Sequence, residues 1–587
     1  MLKRIIAPLL FLAFAWFVIT SKDGKIIIAG IAIFLIGMHY MENGFKLFSG
    51  GALETVLERF TSSTLKAIGT GFLATAIVQS SSLVSVIVIS FLSAELIGLT
   101  QAVGVVFGSN IGTTATAWLV SAFGLKIKIA EYALPMLIFG VVLQFSGSQG
   151  RKGFGSVLIG LGFIFLGIDY MKDGFESMKA QLDLAEYAMQ GYAGIFVYIL
   201  FGAVATVIIQ SSSATMAIII TALASGQIDY INALSLAIGA NVGTTVTAIL
   251  GALASNKSGK RLAAAHFIFN VITALAAVLL IYRLRDLVDW LGPIMGIAEQ
   301  DDAMKLALFH TIFNVLGVLI VTPFIGPLVR YLETLFRPGS QGRGRAKYLS
   351  GEVVEVPASA LVALRKETIH LYDKSLEAIV HAMNLHRSAI FSKTRIKDVV
   401  AHSTSTIHIN IDEIYQQELK MLYSEIIHYG SLALPNMSVE DNRMVHELKK
   451  AARQIIEMVK DVRELQKNLN RFSKSRNKAM LSKYNDLRSI IIVVLRTIQD
   501  MRQMEGEQAD VLMQIEVLKE RVLESEINLN QEVDMLIRNN EIDSIMASSL
   551  INDVGFTRSI CKKFLNAAVI LWVHDKDLKA LADTYET

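Results

Sequence analysis

The amino-acid sequence predicts an all-α polytopic membrane protein with a soluble helical bundle domain at its C-terminal end. Hydrophobic residues make up 53% of the 587 residues and charged residues only 18%, a balance unlike that of soluble proteins. Four stretches contain no Asp, Glu, Lys or Arg, and each is long enough for a helix to cross the hydrocarbon core of a bilayer. These stretches are 67–94, 101–125, 195–228 and 230–256. Charged residues are frequent from about residue 350 onward, and no uncharged stretch of that length occurs there.

This change in composition divides the chain into a membrane domain at 1–335, a linker at 336–357 and a helical domain at 358–587. The linker is predicted from the Gly and Pro residues of 337–347, which break helices. Some of the candidate membrane segments are expected to re-enter the membrane rather than span it. The candidates are 5–20, 26–41, 67–93, 102–123, 129–147, 154–171, 195–223, 232–254, 262–283 and 304–329.

Positive charges predict the topology, because loops rich in Lys and Arg stay on the cytoplasmic side. Lys3 and Arg4 precede the first apolar run, and four cations follow the last one. Those four are Arg337, Arg343, Arg345 and Lys347. We expect a multi-pass protein of the cytoplasmic (inner) membrane with a cytoplasmic C-terminal domain. The run 5–19 is short for a span and also fits a signal peptide; we favour a retained span.

Several classes of function are disfavoured by the composition. A net charge of +3, with no basic stripe interleaved with aromatic residues, argues against a nucleic-acid partner. The single cysteine, Cys561, rules out an internal disulfide and fits a domain that faces the cytosol. We find no Gly-rich phosphate loop or nucleophile constellation in 350–587, so we expect neither an enzyme nor a cofactor.

An internal repeat is the strongest signal in the sequence. Gln79-Ser80-Ser81-Ser82 recurs 131 residues later as Gln210-Ser211-Ser212-Ser213, and the segment 110–117 recurs at the same offset as 241–248. Upstream, 40–45 matches 170–175 at an offset of 130. We therefore predict a duplicated membrane unit, with repeat 1 at about 26–147 and repeat 2 at about 154–283.

Runs of polar residues inside apolar segments predict a binding site. Unpaired amide and hydroxyl groups are costly in hydrocarbon, so these side chains must face protein, water or a ligand. The Ser-rich runs, with Gly112 and Gly243, predict helices that are broken near the middle of the membrane. The N-terminus of a half-helix attracts an anion, and duplicated broken segments indicate a site between repeats. Close packing of small residues is the alternative, but it does not require Gln and Asn to recur together.

Histidines within the membrane segments are weaker candidates. His266 and Asn270 have the same spacing as His310 and Asn314, so each pair lies on one helix face. A proton relay is one interpretation, and interhelical hydrogen bonding is the one that we favour. His39 and Asp169 occupy equivalent repeat positions near segment ends, where side chains reach the membrane interface.

The duplicated motifs resemble the type II sodium–phosphate cotransporter family over roughly residues 25–330. The resemblance implies an inverted-repeat transporter core that binds inorganic phosphate and Na⁺, the coupling ion, where the repeats meet. Individual roles for phosphate or Na⁺ are left open. The implied site residues are Gln79, Ser80, Ser81, Ser82, Asn110, Thr113, Thr114, Gln210, Ser211, Ser212, Ser213, Asn241, Thr244 and Thr245.

The C-terminal part resembles PhoU-like domains, which are built from two three-helix bundles and often bind metal through paired carboxylates. Glu457 and Asp461 have the required i,i+4 spacing on one helix. The matching helix of the second half, around 557–572, has no carboxylates, so a solvated ion-pair face is the favoured interpretation. Five or six long helices are predicted over 358–575, with breaks near 430–435, 473–476, 506 and 539–540.

The predicted function is sodium-coupled phosphate transport by alternating access. Two further interpretations stay open within transport: phosphate export, and transport of another small oxyanion. A membrane-anchored phosphate sensor is the alternative from a different class. The lipid bilayer and a second copy of the chain, in a homodimer, are the other candidate partners.

Overall fold

The computed structural model describes residues 15–16, 18–49, 56–57, 59–124, 130–179, 188–253, 257–336, 344–349, 356–403, 405–503 and 508–573. All regular secondary structure in these ranges is helical, which confirms the all-α prediction. The chain forms two compact units, one ending at Arg337 and the other running from Val354 onward. Most of the predicted first span at 5–20, most of the linker at 336–357 and the predicted break near Gly506 lie outside the described residues.

The first unit is the membrane unit. Among its described residues, six helices are long and apolar enough to cross a membrane, and four shorter apolar helices accompany them. The α-helices of this unit are α1 (Lys22–Ser49), α2 (Thr64–Val78), α3 (Ser81–Ser93), α4 (Leu99–Gly112), α5 (Thr114–Trp118), α6 (Ala130–Gln144), α7 (Gln149–Lys179), α8 (Gly191–Ile209), α9 (Ser212–Ala224), α10 (Tyr230–Leu253), α11 (Lys257–Ile294), α12 (Asp302–Val321) and α13 (Ile325–Leu335). The chain is therefore a polytopic membrane protein.

Helices α1 and α7, the first of each predicted repeat, pack closely and run antiparallel. Gly30 of α1 lies against Gly167, and Gly37 lies against Gly160, so the contacts ascend one helix as they descend the other. A β-carbon at Gly37 would lie 2.7 Å from the Gly160 carbonyl oxygen. Small residues at an interface let membrane helices approach this closely. The inverted orientation of the whole repeats stays a prediction.

The two copies also share their next helix contact. Helix α2 packs on α4, and a β-carbon at Gly71 would overlap the carbonyl oxygen of Val105. Helix α8 packs on α10, and a β-carbon at Gly202 would overlap the carbonyl oxygen of Leu236 in the same way. Both residues of the second contact lie 131 positions after those of the first. The sequence duplication is thus accompanied by duplicated packing.

The prediction of a helix break at Gly243 is wrong. Helix α10 runs without interruption from Tyr230 to Leu253, whereas α4 ends at Gly112 and is followed by α5 and a π-helical turn at Leu119–Gly124. A β-carbon at Gly243 would lie 2.6 Å from the carbonyl oxygen of Ala203. Glycine is required there by the close approach of α8, not by a change of backbone direction.

The second unit consists of helices with buried apolar stripes. Its helices are α14 (Pro357–Ala382), α15 (Arg387–Ile390), α16 (Ile396–His402), α17 (Ile411–Ile414), α18 (Lys420–Ala433), α19 (Val439–Phe472), α20 (Lys478–Gln503), α21 (Gln508–Arg538) and α22 (Ser544–Trp572). The ends of α18, α19 and α21 fall at three of the predicted breaks. Apolar residues three and four positions apart form a stripe along α19 that is entirely buried: Val445, Leu448, Ala452, Ile455, Val459, Val462, Leu465 and Leu469.

One stretch of this unit departs from the long helices that we expected. Between α14 and α18 the described chain forms only short helices. Asn384 adopts a left-handed backbone conformation with φ of 57°, which ends a helix. The guanidinium of Arg488, which is 2% exposed, donates to the carbonyl oxygens of Asn384 and Ser403 at 3.1 and 3.0 Å. The buried cation thus satisfies carbonyl groups that a continuous helix would satisfy itself.

A buried carboxyl group, that of Asp553, is expected to make the stability of this unit depend on pH. Burial raises the pKa of Asp553 from 3.8 to about 6, although a hydrogen bond from the hydroxyl of Tyr484 to Asp553 Oδ2 (2.6 Å) favours the ionised form. The folded state therefore holds this proton more strongly than the unfolded state. Stability is expected to fall as pH rises from 3.8 to about 6, and to be independent of this group above that range.

We expect Asp553→Asn to remove this contribution, so that the unit loses less stability than the parent between pH 4 and pH 6. Limited proteolysis during thermal unfolding of the full chain measures the effect. Asp500→Asn, a change at an exposed position of α20, is the control and should follow the parent. Parallel pH profiles for parent and Asp553→Asn would contradict the prediction.

Candidate functional site

Both Gln-Ser-Ser-Ser motifs lie at breaks between two helices. Gln79 separates α2 from α3 with φ of 58°, and Gln210 separates α8 from α9 with φ of 59°. A left-handed conformation is uncommon for residues other than glycine, and such strain clusters at functional sites. Because the same unusual conformation occurs at equivalent positions, the helix break is a feature of both copies of the repeat.

The serine that follows each glutamine caps the next helix. Ser80 Oγ accepts a hydrogen bond from the backbone N–H of Leu83, and Ser211 Oγ accepts one from Ala214, each at 3.2 Å. The remaining N–H groups in the first turn of a helix have no intrahelical partner and carry partial positive charge. Helices α3 and α9, of 13 residues each, therefore both present an anion-attracting end.

The two motifs line a single cavity of about 180 Å³. This volume is roughly ten times what one water molecule needs. All eight residues of the motifs contribute to the wall, which also contains six residues from α1, α8 and α10. The wall residues are Leu35, Met38, His39, Glu42, Gln79, Ser80, Ser81, Ser82, Thr206, Gln210, Ser211, Ser212, Ser213 and Thr244. Apart from His39 and Glu42, the polar groups of this wall are uncharged hydroxyls and amides.

A direct hydrogen-bonded link joins the two motifs beside the cavity. Thr116 of α5 donates its hydroxyl to Gln79 Oε1 at 2.7 Å, and its oxygen lies 3.3 Å from Ser213 Oγ. All three side chains are buried. Thr116 therefore holds one residue of each copy in a fixed relation to the other.

A second, smaller cavity of about 130 Å³ shares part of this wall. Ser81, Ser82 and Thr244 face both cavities. The second cavity is lined further by Leu262 and His266, which lie near the start of α11. The second cavity, most of whose wall is apolar, thus extends from the motifs toward the end of α11 that carries three cations.

Comparison with known proteins shows which family has sequences similar to the part of the chain that forms this cavity. A family model described as Na⁺/Pi-cotransporter matches residues 33–173 and 182–299, which carry both motifs. The uncharacterised protein YqeW of Bacillus subtilis strain 168 is 30% identical over 308 residues, covering 52% of this chain and 95% of that relative. The chain belongs to the Na⁺/Pi-cotransporter family. The predicted resemblance of the membrane part is thereby confirmed.

Two other relatives of this chain have names that mention phosphate. One, of Escherichia coli K12, is named "Putative inorganic phosphate export protein YjbB" and is 29% identical over 363 residues. That match covers 61% of this chain, and the chain spans 64% of the length of YjbB. The bovine "Sodium-dependent phosphate transport protein 2B" is 44% identical over 80 residues, which are 13% of this chain and 12% of that protein. No solved structure matches the chain.

Most of the other predicted site residues of this Na⁺/Pi-cotransporter family member lie away from the cavity wall. Of the six Asn and Thr candidates, the structure places Thr244 at the wall. The hydroxyls of Thr113, Thr114 and Thr245 each donate to the backbone carbonyl oxygen three residues earlier in the chain, at 2.7 Å. Their participation in binding stays a prediction.

The two remaining candidates, Asn110 and Asn241, pair with the membrane histidines. His266 Nε2 lies 3.3 Å from Asn110 Oδ1, and His310 Nε2 lies 3.1 Å from Asn241 Oδ1. Since Asn241 is the repeat counterpart of Asn110, both copies make the same interhelical contact. This geometry fits the hydrogen-bonding role that the sequence favoured for the histidines.

Several wall or link residues were not among the predicted site residues, and His39, Glu42 and Thr116 are three of them. His39 and Glu42 reach the cavity because α1 lies beside the motifs, and Thr116 of α5 contacts the motif residue Gln79 beside the cavity. The duplication could have pointed to Thr116 as a site residue, because Thr116 lies in the duplicated segment 110–117. For His39 we expected a place at the membrane interface, and the structure puts it at the cavity.

The metal candidates of the second unit, Glu457 and Asp461, have other partners. Asp461 Oδ2 accepts from Lys563 Nζ at 2.6 Å and from Ser559 Oγ at 2.8 Å, and Glu457 lies 3.8 Å from Arg453. Among the residues that the structure describes, no group of three or more His, Cys, Asp or Glu side chains could hold a metal ion. The assignment of this unit as PhoU-like stays a prediction.

Proposed function

We propose that this chain transports inorganic phosphate across the cytoplasmic membrane in a process coupled to Na⁺. The observation that supports this most strongly is the single cavity lined by all eight residues of the two Gln-Ser-Ser-Ser motifs. A phosphate anion would occupy the space between the N-termini of α3 and α9. The serine hydroxyls and the free N–H groups of the first helical turns would donate hydrogen bonds to its oxygens.

Sodium has an electrostatic reason to bind together with phosphate. Phosphate carries one to two negative charges near neutral pH, and the motifs themselves supply no fixed positive charge. Amide and hydroxyl oxygens, such as those of Gln79 and Gln210, are suitable ligands for Na⁺. A tenfold Na⁺ gradient contributes about 1.4 kcal/mol for each ion that moves with the substrate. Co-binding would therefore both neutralise the anion and couple its movement to the gradient.

Alternating access follows from the placement of the cavity between duplicated elements. The antiparallel packing of α1 and α7 supports an inverted relation between the repeats. The second cavity, next to the basic start of α11, supports an exit on the cytoplasmic side. The two repeats would rock around the bound ions and open the site to one side at a time.

The name of the E. coli relative favours export as the direction of transport. An inside-negative potential also favours outward movement of an anion, by about 2.3 kcal/mol per net charge for each 100 mV. Export is therefore the second candidate function, and it uses the same site.

Phosphate flux in proteoliposomes tests both versions. Purified chain is reconstituted and the movement of radiolabelled phosphate is followed with Na⁺ outside, inside or absent. Flux that requires Na⁺ and follows its gradient supports coupled transport, and the orientation of active molecules gives the direction. A chain that moves no phosphate under any of these conditions would refute the proposal.

We further propose that the soluble unit lies in the cytoplasm and regulates the transporter. The linker cations and the resemblance to PhoU-like domains support this role. Removing residues 350–587 should change the rate of flux or its response to phosphate. An unchanged transporter would refute the regulatory role without affecting the proposal for the membrane unit.

A further inference from the structure

A fixed carboxylate lies in the wall of a cavity that we assign to an anion. Glu42 belongs to α1, and it lines the cavity together with His39, one turn earlier on the same helix. A carboxylate repels an anionic ligand unless that ligand offers it a proton. The wall and the proposed ligand therefore carry charges of the same sign at this position.

The polar partner of Glu42 does not satisfy its carboxylate. Lys46 Nζ lies 3.6 Å from Glu42 Oε1, and both side chains are partly exposed, at 48% for Lys46 and 32% for Glu42. Ion pairs of this kind between exposed side chains are weak. A carboxylate has about four acceptor positions, so Glu42 keeps acceptor capacity toward the cavity.

The second repeat has the opposite arrangement of charges. The residues equivalent to Glu42 and Lys46 are Lys172 and Glu176, which lie 3.9 Å apart on α7. Neither of them lines the cavity. The carboxylate at the cavity is therefore not a consequence of the duplication. It also provides a matched control, because Glu176 forms the same kind of exposed pair away from the site.

We propose that Glu42 selects for oxyanions that still carry a proton, an inference that rests on the proposed phosphate site. Phosphate keeps one or two hydroxyl groups near neutral pH, and one of them can donate a hydrogen bond to the Glu42 carboxylate. Sulfate is fully ionised at that pH and has only acceptor atoms. Sulfate at this site would face the carboxylate without a proton between them, and that juxtaposition is unfavourable. Arsenate, which is protonated like phosphate, satisfies the same requirement.

Competition measurements on Glu42→Gln test this selectivity. Binding and uptake of radiolabelled phosphate by the full chain are measured at pH 7 with increasing sulfate or arsenate. In the parent, arsenate should compete and sulfate should not. In Glu42→Gln, the amide can donate to sulfate, so the inhibition constant of sulfate relative to phosphate should fall at least about tenfold. The arsenate ratio should change little, and Glu176→Gln should behave like the parent.

The outcomes separate this inference from the proposal on which it rests. A parent chain that neither binds nor moves phosphate refutes the proposed function itself. If the parent binds phosphate but Glu42→Gln keeps the parental sulfate ratio, the selectivity role is refuted. A variant that only needs more Na⁺, or a folded variant that binds neither anion, also overturns it, because Glu42 would then serve the cation or the overall site. Glu42→Ala, assayed in parallel, replaces the glutamine variant if that protein does not fold, and it should likewise admit sulfate.

Discussion

Alanine at Ser81 or at Ser212 is expected to lower Na⁺-dependent phosphate flux by about tenfold to a hundredfold, since a hydrogen bond to a charged group contributes about 1.5–3 kcal/mol. These two residues begin α3 and α9 and occupy equivalent positions in the cavity wall. The caps formed by Ser80 and Ser211 are left intact, so the helices should keep their ends. Flux in proteoliposomes, corrected for the amount of reconstituted protein, measures the loss.

Ser93→Ala is the matched control for this prediction. Ser93 lies at the other end of α3, is buried, and its hydroxyl has no hydrogen-bond partner in the described structure. Its replacement should leave flux close to the parental value. If Ser93→Ala lowered flux as much as Ser81→Ala, the loss would reflect helix packing. If only one of the two motif variants lost flux, one copy alone would suffice for binding.

Alanine at Gly108 is expected to prevent α2 and α4 from packing and to destabilise the membrane unit by about 3 kcal/mol or more, at the upper end of overpacking effects. A β-carbon at Gly108 would overlap the carbonyl oxygen of Ile68, which belongs to the backbone and cannot rotate away. Because α2 leads directly into Gln79, a shift of this helix would also displace the first motif. The unfolding temperature in detergent and the elution profile of the purified protein measure the effect.

Gly69 provides the control on α2, the helix against which Gly108 packs. A β-carbon at this position has no other atom within 4 Å, so Gly69→Ala is expected to be neutral or slightly stabilising. A folded Gly108→Ala variant with parental stability would contradict the helix contact. Equal damage from both variants would show that this helix pair does not tolerate alanine for some reason other than the contact between Gly108 and Ile68.

The helical class and the positions of the motif breaks could be predicted from local sequence. Uncharged runs longer than a bilayer crossing leave little choice other than helices, and a run of serines after glutamine marks the end of one helix and the cap of the next. The duplication strengthened this interpretation, because the same motif is not expected by chance at equivalent positions of both repeats, at Gln79 and at Gln210. Gly243 shows the limit of such reasoning. Glycine can weaken a helix or allow two helices to pack closely, and the local sequence does not distinguish these two roles.

The composition of the cavity wall could be predicted only in part. That Ser81 and Ser212 share a cavity was inferred from the resemblance and from the general behaviour of duplicated transporters. The places of Glu42 and Thr116 depend on how α1 and α5 cross the motifs, and no local pattern encodes such a crossing. A charged residue near the end of an apolar segment is more often at the membrane interface, so Glu42 gave no signal of its own.

Equilibrium binding of radiolabelled phosphate to the purified chain in the presence of Na⁺ tests most directly whether two motifs form one site. We expect a single phosphate for each chain, with its affinity reduced both by Ser81→Ala and by Ser212→Ala. Two independent phosphates for each chain, or full affinity after a change in either motif, would contradict it.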